Sequence, residues 1–600
     1  MLSHFRLSLL LIFWGITIGV KASVEDSLCL GVTDRRLTSE MMERVSARDL
    51  WTAIRTLDAS TYDNPEILID GVRMPKTALI GITVGEVAEV RIIRDAAKLA
   101  QLGIHGGKGA VEIVTKKYAK GPLSLSYKAD IQAGKPADGS KGTMKGAEHW
   151  LTADEGDDNV GYRFTAIYDP GTETKAKGTD RIQMRSYIGY RRNALSISND
   201  LQYGNYGIHE TFNDYDTDKT RFSTLTDRIR ATLSLMPGLE MVGYFSFLRQ
   251  EVRRDVFLSP YSPVFKDEDN LRNKGTYDIM RETTMTYDGG LKLAYQKAMT
   301  GGHTLLASAG VSLYSGERGG ESYAGRGILN DILNYVSFTQ TYDTLRKPTA
   351  VRDFERTLQC MANVGYDYQG RYSATMNVTM NRSSLLSPKH RNEVYWAADL
   401  GWNISREAWM AESGIDCLRL SLGLGRSATV PYSYKAFTPM YSNITNETYI
   451  YNYYQTGAQL QGYYNENIRP DAVTRGLLSL DFEAKGWHLN ASGMRAESTN
   501  MLYGDVGKTL KGKNWTASAS LSAAYDDVRD MLAGMVIYGQ WRRWTASASF
   551  FTDNWETNRL QSIQIGYAFP SLWRFVKGGM VRLSGEENCH RACLTVEAKF

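Results

Sequence analysis

From about Gly121 to the end of the chain, apolar and polar residues alternate with a period of two. Ala362, Val364, Tyr366 and Tyr368 interleave with Asn363, Gly365 and Asp367. Gln369-Gly370 reads as a tight turn, and Tyr372, Ala374, Met376, Val378 and Met380 then share one face of the return strand. A second hairpin repeats the pattern. Leu478, Leu480 and Phe482 lead into Lys485-Gly486, and Trp487, Leu489 and Ala491 lead out. The final strand alternates Leu594, Val596, Ala598 and Phe600 with Thr595, Glu597 and Lys599. Such alternation puts one face of each strand against something apolar and the other against something polar. A soluble β-sandwich alternates too, but so many long hairpins with charged inner faces suit a water-filled lumen better than a dry core. The last 480 residues accommodate a barrel of about 22 strands of ~11 residues each, with ~11 residues per connection. The expected fold is therefore mainly β, a large antiparallel transmembrane β-barrel over residues 120–600.

The chain before Gly121 reads differently. Ser46 with Asp49 forms a capping-box pattern, and Leu50, Ile54 and Leu57 share one helical face. Strands are expected at Glu66 to Asp70, Val87 to Ile93 and Ala110 to Thr115, with the turn Asp70-Gly71 and a short helix from Asp95 to Leu102 stopped by Gly103. This predicts a small α/β unit over 46–119, preceded by an N-terminal segment, 23–45. Residues 1–22 read as a signal peptide, with Arg6, the apolar run Leu7 to Val20, and a cut after Ala22. That run is too short to span a membrane as a helix, and Leu28 before Cys29 does not suit lipoprotein processing.

Composition changes this picture little. A mean hydropathy of −0.35 looks soluble, but a barrel with a polar bore also averages this way. The 36 Tyr and 12 Trp lean toward a barrel, because such rings favour membrane–water interfaces. The net charge of +4 is small and dispersed, so nucleic acid is not an expected partner. Five cysteines do not make a disulfide framework. Cys589, His590 and Cys593 are incidental or, for the two cysteines in a tight loop, a disulfide. The chain has no His-Glu-x-x-His and no Gly-x-Ser-x-Gly, so neither an enzyme nor a cofactor is expected. Gly103, Gly106, Gly107 and Gly109 are not followed by Gly-Lys-Ser/Thr and run into a strand, which argues for tight turns rather than a phosphate loop.

Several segments resemble the SusC/RagA-type TonB-linked outer-membrane proteins. Ile67-Leu68-Ile69-Asp70-Gly71-Val72 is similar to the "(V/I)IDG(V)" of that family's plug, Val87 to Ala96 to its "IESIEVLKDA", and Gly103 to Lys117 to its "GSRGANGVILITTKK". In the barrel, Val394 to Ser405 resembles "FPSVSLGWRIS", Cys417 to Gly423 "LKLRASYG", Leu560 to Pro570 "LKNVTLGYTFP", and Val581 to Asn588 "LRVYVSGENL". The resemblance marks Asp70, Gly71, Gly103, Gly106 and Gly109 as plug-motif residues. It also makes Ser27, Leu28, Cys29, Leu30, Gly31 and Val32 a candidate TonB box, since an extended terminal strand can add to a partner's sheet edge.

The plug is shorter than the family's, lacks its "IRIRG" strand, and has no room before it for the family's carboxypeptidase-like domain. The resemblance implies TonB-driven import of a glycan fragment or peptide across the outer membrane. Its implied partners are the TonB–ExbB–ExbD complex, a SusD-like lipoprotein and outer-membrane lipid. The other reading is a non-energised barrel, a passive channel or an accessory envelope component. The tyrosine-rich stretch that includes Tyr449, Tyr451, Tyr453 and Tyr454 is either a ligand-contact loop or part of an interfacial belt.

Overall fold

The computed structural model describes residues 35–600, apart from 46–49, 59–64, 135–143, 172–176, 212–215, 333, 343–345, 347, 432–435, 451–452, 461–463, 497–498, 527–529, 553–558, 570–577 and 587–590. Twenty-two antiparallel strands close into a barrel. Nearly all sequence neighbours pair in turn, and the last strand, Arg591–Lys599, returns to the first, Gly121–Gly134. The expected hairpins are present. Thr349–Tyr368 pairs with Tyr372–Ser383 around Gln369 and Gly370, at φ 56° and 67°, and Asp471–Ala484 pairs with Trp487–Ala496 around Lys485 and Gly486, at 48° and 79°. These left-handed pairs match strand twist in two-residue turns.

The two faces divide as the alternation predicts. Val364, Tyr366, Met376 and Leu478 are exposed on the outside, whereas Asn363, Asn377 and Thr379 are buried inside. Along Thr276–Met299 the outward residues run from Lys297 through Leu293 and Leu291 to Tyr287. Ten residues at ~3.3 Å each, tilted ~40°, rise about 25 Å, the height of a hydrocarbon-facing band. At the end with short turns, Trp402, Trp487, Trp515, Trp541 and Trp544 are exposed. Several are cross-strand neighbours, Trp515 opposite Trp541 and Trp541 opposite Trp544. They form an aromatic girdle on the outer surface.

The strands are not of equal length. Those at Thr217–Met236, Leu239–Leu258, Thr276–Met299, His303–Arg326 and Thr349–Tyr368 run 20 to 24 residues. Those from Trp487 onward run 9 to 13. One side of the barrel therefore rises far above the other at the long-loop end.

Inside the barrel sits a five-stranded mixed sheet, β1 (Arg35–Thr38), β2 (Glu66–Ile69), β3 (Val72–Met74), β4 (Val87–Ile93) and β5 (Ala110–Thr115), in the order β1-β4-β5-β2-β3. Central β5 runs parallel to β2 and antiparallel to β4. The helix Leu50–Leu57 buries the expected Leu50, Ile54 and Leu57, with Ala53, in one core cluster with Ile67, Ile69, Val90 and Ile113. Its expected cap, Ser46 with Asp49, lies outside the described residues. One boundary moves. Arg35–Val45, the described end of the N-terminal segment, packs as part of the α/β unit, because β1 pairs with β4 as an edge strand and Leu37 and Met42 enter the core. β1 is hard to see in sequence because only Leu37 of Arg35–Thr38 is buried.

Candidate functional site

The candidate site is the seam between this plug and the inner wall. The turn at Asp70 and Gly71 takes φ values of 51° and 83°, so Gly71 carries a backbone that a side chain would strain. Asp70 then works in two directions. Its carboxylate accepts from the Thr115 N–H at 2.9 Å and the Thr115 hydroxyl at 2.8 Å, tying the end of β2 to the end of β5. It also lies 3.2 Å from Arg228 on the wall. Arg228 donates to the Ile69 carbonyl at 3.2 Å and pairs with Asp200 of the next strand. Arg185 completes this cluster, 2.8 Å from Asp200 and donating to Thr115 at 2.6 Å. Charges this deeply buried are tolerated only when paired and hydrogen-bonded.

A second cluster lies at Arg73, on β3. Its guanidinium is 2.8 Å from Glu355 of the wall, contacts His105, and stacks 3.8 Å over the Tyr314 ring. His105 lies 3.1 Å from the same Glu355. Burial pushes the Arg73 pKa down, but Glu355, Tyr314 and Glu66 together hold it above its ordinary value. On the other side of the plug, Arg35 bridges Asp58 of the plug and Asp505 of the wall at 3.4 and 2.8 Å. Glu43 meets wall residue Arg582 at 3.4 Å and plug residue Lys116 at 3.5 Å. Arg44 stacks 4.0 Å over Tyr538.

The glycine-rich segment makes the closest approach. A Cβ built on Gly103 would stand 2.7 Å from Asn381 Nδ2, and one on Gly107 2.6 Å from the Ala428 carbonyl oxygen; both neighbours belong to the wall. Gly106 abuts Leu99 and Ser427, and Arg475 of the wall donates to the Gly106 carbonyl at 3.0 Å and also contacts that of Gly107. Gly109, at φ +80°, leads into β5. The glycines thus let plug backbone lie flat on the barrel. The helix Ala96–Gln101 does the same in reverse, with Ala96 against Gly423 and Gly425 of the wall.

Of the plug-motif residues expected from the sequence, Asp70 and Gly71 stand at the Arg228 cluster, whereas Gly103 and Gly106 lie against Asn381 and Ser427 on another part of the wall and Gly109 leads into β5. The candidate TonB box, Ser27 to Val32, lies outside the described residues, as do Tyr451, Cys589 and His590. Tyr449, in Tyr441–Ile450, and Tyr453 and Tyr454, in Tyr453–Leu460, belong to a two-stranded hairpin that pairs with itself and not with the barrel. Reading the sequence missed Arg73, His105, Glu355, Arg185, Asp200 and Arg228, whose partners are far apart along the chain. The available hint was a charge at inward positions of alternating strands. Among the described residues no cluster of His, Cys, Asp and Glu is arranged to hold a metal ion.

No family model and no curated protein sequence matches the chain. Solved structures do. The RagAB peptide importer in its open-open state aligns with a TM-score of 0.81 at 10% identity, covering 98% of this chain and 100% of that one. The ferric citrate transporter FecA aligns at 0.68 and 10% identity, covering 98% and 100%. The siderophore receptor PirA from Pseudomonas aeruginosa aligns at 0.62 and 12%, covering 95% and 99%. Across this range of cargoes the shared element is architecture, and this chain has the plugged-barrel fold of those importers and receptors.

Proposed function

We propose that the protein is an outer-membrane receptor that imports a nutrient, a glycan fragment or a peptide, with force supplied through TonB. The observation that carries this reading is a folded domain held inside a closed barrel by ion pairs spread around its rim. Arg73–Glu355, Asp70–Arg228, Arg35–Asp505 and Glu43–Arg582 tie it to well-separated parts of the wall. A passive channel gains nothing from a bore occupied in this way, whereas a gated importer needs an obstruction that work can displace. The 25 Å apolar band and the tryptophan girdle support residence in a bilayer. The architecture shared with a peptide importer and with ferric-ligand receptors supports uptake as the task.

In the sequence Ser27 to Val32 precede the edge strand β1, so a pull on them would act first on that strand. We assign these residues to the TonB contact, Gly103, Gly106 and Gly109 to the seat of the plug, and a SusD-like lipoprotein to the barrel mouth. Deleting Ser27 to Val32 tests the energised step. Growth on the imported nutrient is expected to fall to that of a strain lacking the gene, with barrel abundance unchanged. Undiminished growth would overturn the proposal.

A further inference from the structure

On its outer surface, at the long-loop edge of the apolar band, the barrel carries arginines that no carboxylate balances. Along Tyr372–Ser383 the outward residues are Tyr372, Ala374, Met376, Val378 and Met380, and then Arg382. From Tyr372 to Arg382 the strand rises about 25 Å, so Arg382 stands where hydrocarbon gives way to headgroups. The neighbouring strand Thr349–Tyr368 repeats the arrangement, from Tyr366 and Val364 up through Leu358 to Arg356. Arg382 lies opposite Leu358, and the Ser384 N–H donates to the Arg356 carbonyl at 2.9 Å. The two arginines are therefore diagonal neighbours, about 7–8 Å apart at the backbone. Arg426 of Cys417–Thr429 is outward and exposed as well, opposite Trp396, which in turn lies opposite Val378. That places it two strands round and some way down from Arg382, about 16 Å along the wall.

Among the described residues the side chains of Arg356, Arg382 and Arg426 make no ion pair or hydrogen bond. Other outward arginines at this end differ. Arg221 holds Asp180, Arg249 holds Glu251 and Arg253 holds Asp255, while Arg281 lies opposite Glu321. Glu317, on the strand beside Arg356, is held by Arg352. Exposed Lys389 and Arg391, in the loop after Arg382, add to the local excess of positive charge. Like charges on adjacent strands repel, so this patch lacks an anion.

We propose that Arg356, Arg382 and Arg426 hold the headgroup of a phosphorylated glycolipid of the outer leaflet, whose acyl chains lie on Val378, Met380, Val394 and Trp396. A guanidinium forks onto phosphate oxygens and stays charged at the membrane surface. The adjacent pair, Arg356 and Arg382, takes one phosphate. Arg426 stands far enough away to call for a second phosphate on the same headgroup. A disaccharide lipid phosphorylated at both ends meets that spacing, whereas a glycerophospholipid offers one phosphate. Soluble phosphate has no chains to cover the apolar wall below. The site is on the outside of the barrel, so the inference does not depend on what crosses the bore.

Native mass spectrometry of the full-length protein in a neutral detergent tests the assignment. The probes are diphosphoryl lipid A, the same lipid with both phosphates removed, phosphatidylglycerol and inorganic phosphate. Diphosphoryl lipid A is expected to bind at least tenfold more tightly than each of the others. The triple variant R356Q/R382Q/R426Q should lose at least tenfold of that affinity. R249Q/R253Q, which removes two outward arginines that have carboxylate partners, should change it less than twofold. Heat-modifiable gel mobility reports that the variants fold. If the triple variant does not fold, R382Q alone decides, with an expected loss of about threefold. Equal binding of any other probe, or unchanged affinity in the folded triple variant or in R382Q, would overturn the proposal. An equal loss in R249Q/R253Q would overturn it too, because it would mean diffuse charge attraction and not a site.

Discussion

Asp70 is a turn residue that also reaches two partners outside its turn, and that double use explains why so short a plug stays put. The same logic holds at Arg73, where removing one partner strands a buried charge. Arg73→Ala should weaken plug docking by about 3–5 kcal/mol, read as increased protease cleavage of residues 35–119 in intact cells. Glu355→Ala should cost a similar amount, and the double variant much less than the sum, since both changes break one interaction.

Glu43 gives this seam a pH dependence. Burial raises its pKa, but Lys116 and Arg582 outweigh burial and hold it below the ordinary 4.5. A lowered carboxyl pKa contributes docking free energy above 4.5 and loses it as pH falls through the depressed value. Plug protection from protease should therefore be constant near neutrality and drop in that acid window. Glu43→Gln should dock less firmly at pH 7 and should lose this part of the acid response. At Gly107 the constraint is space. Gly107→Val drives a side chain into Ala428 and Thr429 and should destabilise docking by about 1–3 kcal/mol, checked by the same protease assay. Asp70-Gly71 and the glycines were legible as turns because turns leave a local signature, and the family resemblance marked them as plug-motif residues. The sequence left Arg73, Glu355 and Arg228 unmarked because an ion pair between distant positions leaves none.

At the scale of elements, period-two alternation was legible because each barrel strand lies between two different solvents. Gln369-Gly370 and Lys485-Gly486 were legible for a separate reason, the left-handed backbone their turns need. Strand β1 was not, since three of its four residues are polar or half-buried and its identity comes from pairing with β4. β3, three residues long, is too short for periodicity to register. The outer band makes its own prediction. Leu291, outward and midway along its strand, should cost about 2–4 kcal/mol of folding free energy when changed to Arg, measured by urea unfolding in lipid vesicles. Thr379, buried on the inner face, instead donates to Asn377 of its own strand.

For the whole molecule, barrel and plug are separable in design though not in space. The wall closes through its own strand ladder, and the plug adds side-chain contacts to it. A chain lacking residues 35–119 should still insert and run as a heat-modifiable barrel, but should conduct ions steadily in planar bilayers where the full chain is quiet. An unfolded product would show that the plug is needed as a template.

The pairing of Arg591–Lys599 with Gly121–Gly134 also bears on biogenesis. The ring cannot shut until its C-terminal residues have arrived, so no partial translation product owns a finished cylinder. Until then two ladder edges are open, each able to recruit another chain. Contacts so distant along the polypeptide form slowly, and the cell must shepherd the nascent protein through that interval. Loss of even the last nine residues is thus a defect of timing and quality control before it is one of uptake.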